Sequence, residues 1–494
     1  MGYVPRPTRS AWSALSPIAR MNEPTTTSPA PDPTAPASAL TFAALPLAPP
    51  LARAIAVLGF TGMTPVQAHA LPALLTGADV IAQARTGSGK TVAFGLALLA
   101  RVDVDLARVQ VLVLCPTREL ADQVSAEIRR LARFIANLRV VTLCGGVPVR
   151  TQRPALQTPP HVVVGTPGRI LDHLARATLE LADLRVLVLD EADRMLDMGF
   201  LDAITEVVAQ TPRTRQTLLF SATYPDDIRA LSRTLQRNPV TITVDNVVDH
   251  TELEQTFFAV DPAGKLDALA AILLHHRPAS ALVFCQTRND VRDVCAQLAG
   301  RGFSALALHG ELEQRERDEV LLRFANNSCT VLVATDVAAR GLDIKGLAAV
   351  VSWELPRDPD VHLHRIGRTG RAGHKGLAFA LCAPFERERL AALEQSQSAP
   401  IRWGQLPRPA DPRPAPPPMT TLIIEGGRQD KLRAGDLLGA LTGDIGLPSE
   451  VVGKIDIHPR HTYVAIRSDR AEPALKGLRA RKIKGRSFRA WVLK

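Results

Sequence analysis

The chain has 494 residues, of which 46% are hydrophobic, 22% charged and only 4% aromatic, with a formal net charge of +10. That length exceeds one compact core and points to about three domains. The composition excludes a chain disordered along most of its length, no apolar run reaches the length of a membrane span, and the positive charge points to polyanionic partners. Six cysteines include no Cys-x-x-Cys pair and none at metal-ligand spacing to His. Cys115, Cys144, Cys285 and Cys382 lie in apolar strand-like runs and read as core residues in a reducing compartment.

Residues 1–40 are rich in Pro, Ala, Thr and Ser and have no helical or strand period, so they read as a disordered N-terminal extension. Arg6, Arg9 and Arg20 precede the first acid, Glu23. The prolines and the lack of an amphipathic pattern argue against a transit peptide, and no h-region marks secretion. Met21 offers an alternative start.

Residues 41–245 form a first lobe. Asp79 to Gln83 reads as a short strand and Val92 to Leu99 as a buried helix. Between them runs Ala84-Arg85-Thr86-Gly87-Ser88-Gly89-Lys90-Thr91, a glycine-rich turn in the context that makes a phosphate-binding loop. The glycines let the backbone wrap an anion, and the helix N-terminus adds partial positive charge. Lys90 would reach the β- and γ-phosphates of a nucleotide, and the Thr91 hydroxyl would hold Mg²⁺. Ala84 stands where the simplest form of the pattern has Gly.

Further apolar runs follow at Val109–Cys115, Arg139–Cys144, His161–Gly165, Arg185–Asp190 and Gln216–Phe220, alternating with helical patterns such as Arg118–Phe134. This alternation predicts a parallel sheet with helices on both faces and ligands at the carboxyl ends of the strands. One strand end delivers Asp190-Glu191-Ala192-Asp193 and another Ser221-Ala222-Thr223. Asp190 is placed as the second Mg²⁺ anchor, and Glu191 to polarise a water towards the γ-phosphate.

These motifs together resemble the DEAD-box RNA helicases. The resemblance extends to Gly59-Phe60 followed by Thr64 and Gln67, which looks like the family's Q motif, although Met63 stands where many members have Pro. It implies that Phe42 packs against adenine and that Gln67 reads its edge, favouring ATP. A Gln amide can pair with the N6/N7 edge of adenine in bidentate fashion. It further implies that Thr117, Arg118, Gly146, Thr166 and Arg169 face RNA, gripping phosphate and ribose without reading sequence. Asp193, Ser221 and Thr223 would couple the ATP end to the RNA end.

Residues 252–405 repeat the α/β pattern, with strands predicted at Ser280–Cys285, Ser304–His309, Thr330–Thr335, Ala348–Trp353 and Gly376–Cys382, but no Gly-Lys-Thr loop. By the same resemblance Arg368 and Arg371 are arginine fingers aimed at the γ-phosphate in the other lobe. Gln314, Arg317 and Thr335 would face RNA, Asp343 the ribose of ATP, and His364 the lobe interface. The implied architecture is two tandem RecA-like parallel-sheet domains, neither of which completes the ATPase alone.

Residues 406–418 are a proline-rich linker, read as a semi-rigid arm on the order of 35 Å long. Residues 419–494 read as a small α+β domain in the order βαββαβ, resembling RNA-recognition folds. They hold 15 Lys and Arg against 8 Asp and Glu, densest at Lys482, Lys484 and Arg486. The sheet offers few aromatics beyond Tyr463, so RNA is expected on the basic edge. The tail resembles that of bacterial DEAD-box helicases whose C-terminal domain binds a hairpin of 23S ribosomal RNA. That resemblance implies pre-50S ribosomal particles as partners and a monomer working in the cytoplasm.

Overall fold

The computed structural model describes residues 41–84, 87–244, 253–339, 346–370, 376–397 and 400–493. Arg85, Thr86, Asp343 and Arg371, all expected at the site, lie outside them, as does the N-terminal extension.

The first lobe is a seven-stranded sheet of β1 (Val80–Gln83), β2 (Val111–Leu114), β3 (Val140–Leu143), β4 (Val162–Gly165), β5 (Val186–Asp190), β6 (Gln216–Ser221) and β7 (Val240–Thr243), in the order β3-β4-β2-β5-β6-β1-β7. Every pairing is parallel. The strands are short aliphatic runs whose alternate residues enter two separate cores. Val111 and Val113 pack on one face, Leu112 and Leu114 on the other. That double burial is why these strands read as continuous apolar runs. The order places β5, β6 and β1 side by side, so the acids, the hydroxyls and the glycine-rich loop emerge at one rim.

The second lobe contains β8 (Leu253–Ala259), β9 (Ala281–Cys285), β10 (Ala305–Leu308), β11 (Val331–Thr335), β12 (Ala349–Ser352) and β13 (Gly376–Cys382), in the order β10-β11-β9-β12-β13-β8 and again all parallel. Residues just before the linker cover its β8 edge: Phe257 donates its N–H to Arg402 O at 2.9 Å and accepts from Gly404 N at 2.8 Å.

The tail is an antiparallel sheet of β14 (Met419–Ile424), β15 (Val452–Ile457), β16 (Thr462–Arg467) and β17 (Ala490–Val492), ordered β15-β16-β14-β17. Its helices pack on the face of Leu422, Ile424, Val464 and Ile466. The other face meets the second lobe. Buried Thr421 is hydrogen-bonded to Asn326 at 2.9 Å and to Ser328 at 2.7 Å, and Met419 N donates to Asn327 O at 3.2 Å.

The semi-rigid linker lies against the second lobe. Arg277 pairs with Asp411 at 3.0 Å, and Pro414 helps line a small cavity with Leu273, Phe303 and Val331. Polyproline has no internal hydrogen bonds to satisfy, so its stiff backbone can lie along a neighbouring surface.

Candidate active site

The loop after β1 is shaped by left-handed glycines, Gly87 at φ +85° and Gly89 at φ +94°. A Cβ at Gly89 would stand 2.5 Å from Gln67 Nε2, so the close approach also demands glycine. Gln67 ties this loop to the segment before it: Nε2 donates to Gly89 O at 3.1 Å, and Oε1 accepts from Thr64 N at 2.9 Å. One amide hydrogen and one lone pair remain for a ligand edge. Phe42 is buried and tilted against Phe60, with ring centroids 6.1 Å apart.

Lys90 opens the helix Lys90–Arg101 and is 6% exposed. Its ammonium and the Ser88 hydroxyl are buried with no hydrogen-bond partner among the described residues. A buried cation left so is costly unless an anion arrives. Opposite charges stand at the same rim: Asp190, Glu191 and Asp193 are all buried. Burial pushes the Asp190 carboxyl up to about 6, with Lys90 pulling the other way. Glu191 sits at φ +53° at the end of β5 and is paired with Arg194 Nε at 3.7 Å. Asp193 Oδ2 accepts from Ala222 N, Thr223 N and Thr223 Oγ1, each at 3.1 Å. Burial alone would raise its carboxyl, but Arg194, Lys90, the Thr223 N–H and His364 hold it below the usual range. Ser221 contributes through its backbone, accepting from Ala84 N at 2.9 Å; its hydroxyl is buried without a hydrogen-bond partner among the described residues.

The second lobe meets this rim. A small cavity at the seam is lined by Arg194 from the first lobe and by Phe284, Asp336, His364, Arg365 and Arg368 from the second. Arg365, 1% exposed, donates to both oxygens of Asp336 at 2.8 Å, fixing the helix Pro359–Ile366 that leads to Arg368. Arg368 thus stands on the same seam as the partner of Glu191.

A second row of expected residues runs along the lobes. Thr117 and Thr335 accept from the backbone N–H groups of Leu120 at 3.2 Å and Ala338 at 3.3 Å. Arg118 faces Asp318 of the other lobe at 3.9 Å. Arg317 reaches across the seam, its Nε 2.6 Å from Glu119 Oε1, and both side chains are 14% exposed. Gly146 is at φ +82°, and a Cβ there would stand 3.2 Å from Gln314 Oε1. Thr166 precedes the helix Pro167–Ala175 in extended backbone and makes no side-chain capping hydrogen bond. Arg169, expected to face RNA, is 9% exposed and turned inward, donating to Gln152 Oε1 at 2.8 Å and Val147 O at 2.7 Å.

In the tail, Lys482 and Arg486 are exposed, while Lys484 is paired with Asp436 at 2.8 Å. Trp491 escaped the sequence reading: Ile423 opposes both Tyr463 and Trp491, so an aromatic flanks it on each side of the outer face. Sequence reasoning also missed Arg194, Glu119 and Gln152. Arg194 was within reach, since it lies three residues after Glu191 on a helix; the other two have partners distant in sequence.

Residues 64–231 match the family described as DEAD/DEAH box helicase, residues 264–373 the helicase conserved C-terminal domain, and residues 421–492 the DbpA RNA binding domain. The chain is 54% identical over 437 residues to the ATP-dependent RNA helicase DbpA of Escherichia coli strain K12, covering 88% of this chain and 96% of that one. It is 44% identical over 357 residues to the DEAD-box ATP-dependent RNA helicase CshA of Bacillus cereus, covering 72% and 68%. Among solved structures, S. cerevisiae Dbp5 bound to RNA and ADP BeF3 is similar with a TM-score of 0.68 and 32% identity, over 74% of this chain and 96% of that one.

Proposed function

We propose, on the premise that this chain belongs to the DEAD-box ATP-dependent RNA helicases, that it separates short duplexes in large-subunit ribosome precursors while its tail holds a hairpin of 23S rRNA. The observation that carries the reading is the tail. A domain matching the DbpA RNA binding domain, strongly basic, is clasped to Asn326 and Ser328 just beyond the helix Gln314–Ala325, whose first residue faces Gly146. Thr421 and Met419 at one end of its outer sheet face make that contact, and the exposed Lys482 and Arg486 are available for phosphates. No described helix is long and apolar enough to cross a membrane, and we place the work in the cytoplasm with the chain as a monomer.

At the rim, the unpartnered Lys90 ammonium and the Ser88 hydroxyl suit the β- and γ-phosphates of ATP. Thr91 and Asp190 would hold Mg²⁺, which supplies charge neutralisation at the phosphate oxygens. Glu191, oriented by Arg194, positions the attacking water. Arg368, with Arg371, completes the charge from the second lobe only when the lobes are together. RNA laid along Thr117, Arg118, Gly146, Thr166, Gln314 and Thr335 spans the same seam, so RNA and ATP favour the same closed state and each strengthens the other's binding. Loss of the γ-phosphate removes the contact to the arginines and reopens the seam.

The test is phosphate release by the full chain with a 23S rRNA hairpin fragment or an unrelated hairpin of equal length, and again with Lys482→Glu and Arg486→Glu combined. The wild-type protein is expected to respond more strongly to the ribosomal fragment, and the variant to lose that preference. Equal stimulation of the wild type by both hairpins would leave a helicase without the ribosomal assignment.

A further inference from the structure

The diglycine turn Gly145-Gly146 is held by a ring of hydrogen bonds built from Gln152, Arg169 and His173. On one side of the turn, Gln152 Nε2 donates to Cys144 O at 3.0 Å. On the other, Arg169 Nη2 donates to Val147 O at 2.7 Å. The two side chains join, Arg169 Nη1 donating to Gln152 Oε1 at 2.8 Å. A guanidinium has only donors, so it fixes which way the Gln152 amide faces. The fully buried His173 closes the arrangement, with Nε2 donating to the same oxygen at 3.1 Å and Nδ1 2.8 Å from Thr178 Oγ1. The two carbonyls flanking the diglycine are thereby tied to the helix Pro167–Ala175, which begins beside Thr166. The turn so held presents Gly146 to Gln314 of the second lobe.

We propose that Gln152 is a positioning residue for RNA-dependent lobe closure: its amide sets the height of the Gly145-Gly146 turn against both the RNA track and Gln314, without touching nucleotide. The inference rests on the RNA reading given above. Gln152 is well suited to the task because one planar group both accepts from Arg169 and donates to Cys144 O. No carboxylate can do both, and no apolar side chain does either. With the donor missing, the turn keeps its glycines but loses one of its two fixed carbonyls.

The experiment compares the full-length wild type with Gln152→Glu and Gln152→Met. Phosphate release is measured against concentration of a duplex-bearing RNA, and a fluorescent ADP analogue is titrated in parallel. Gln152→Glu keeps the acceptor for Arg169 and His173 and removes only the donor. We expect the RNA concentration for half-maximal stimulation to rise about tenfold in Gln152→Glu and further in Gln152→Met. The maximal rate at saturating RNA should change less than twofold, and ADP affinity should not change. An unchanged half-saturation in both variants overturns the inference. So does a loss of maximal rate at unchanged half-saturation, or an equal loss of ADP affinity, which would mark general damage to the lobe. If RNA does not stimulate the wild type, it is the underlying reading that fails.

Discussion

The two lobes share one order over six strands, with β7 added at the edge of the first, and differ in what faces a single lysine. In each, the first strand of the lobe feeds a twelve-residue helix whose first residue is a buried Lys, Lys90 in one and Lys265 in the other. Lys265 Nζ is 3.1 Å from Glu386 Oε2 and 2.7 Å from Trp353 O. Glu386 in turn accepts from Leu355 N at 2.7 Å and Ala383 N at 2.8 Å. The second lobe therefore carries its own anion where the first keeps a place for one. A buried ammonium needs a counter-charge. Where a carboxylate is hydrogen-bonded to it the result is a structural strut; where buried carboxylates act on it only through space, its donors stay open for a ligand.

The comparison can be broken most sharply at Lys90. Lys90→Ala and Glu191→Gln are each expected to lower RNA-stimulated ATP turnover by about 10³-fold or more without lowering the thermal midpoint of the first lobe. A normal rate in both variants, measured by phosphate release, would show that the open lysine is not the phosphate site. The matching change in the second lobe should do the reverse. Lys265→Met removes the buried ammonium from Glu386, leaving that carboxylate to two backbone N–H groups and to Arg389 at 3.6 Å, and should destabilise that lobe by about 3 kcal/mol. Chemical denaturation should show this loss, and adding Glu386→Gln should recover part of it.

Acidification should separate the lobes by a smaller margin. Burial first, and Arg365 second, lower the pKa of His362 to about 3, and the neutral ring is stacked with Phe257 and bonded to Gln255. Between about pH 6.5 and 3 the unfolded chain binds a proton that the folded lobe refuses, so stability falls as pH drops through that window. The loss is about 2 kcal/mol between pH 7 and pH 5. Asp190, raised to about 6, has the opposite sign: the folded first lobe takes up a proton there and gains relative to its unfolded state. Scanning calorimetry of nucleotide-free protein should see the second-lobe transition move down more than the first, and His362→Gln should flatten its pH response. Smallest of all, Thr421→Val removes the hydroxyl that joins the tail to the second lobe. It should weaken that contact by about 1 kcal/mol, read as a broadened distance distribution between labels on the tail and on the second lobe.

Much of this was legible in the sequence because it is local. The glycine-rich loop, the acids at the end of β5 and the aliphatic runs are set by neighbouring residues and by burial on both faces of a parallel sheet. The strands that escaped are those with mixed signals. In β7 three of the four residues are exposed, and β8 begins Leu-Glu-Gln-Thr before its aromatic pair. Proline content gave the linker its stiffness but not the surface that the segment lies on.

The residues by themselves determined the strand succession, the anion loop and the type of charge delivered to each rim, since these depend on spacing within a few residues. Only the tertiary structure decided which charges would be answered from within. Arg317 meets Glu119, 198 positions away; Arg169 meets Gln152; Lys265 meets Glu386 across 121 positions. The packing of distant strands hydrogen-bonds Arg317, Arg169 and Lys265 within the fold and leaves the Lys90 ammonium without a hydrogen-bond partner among the described residues.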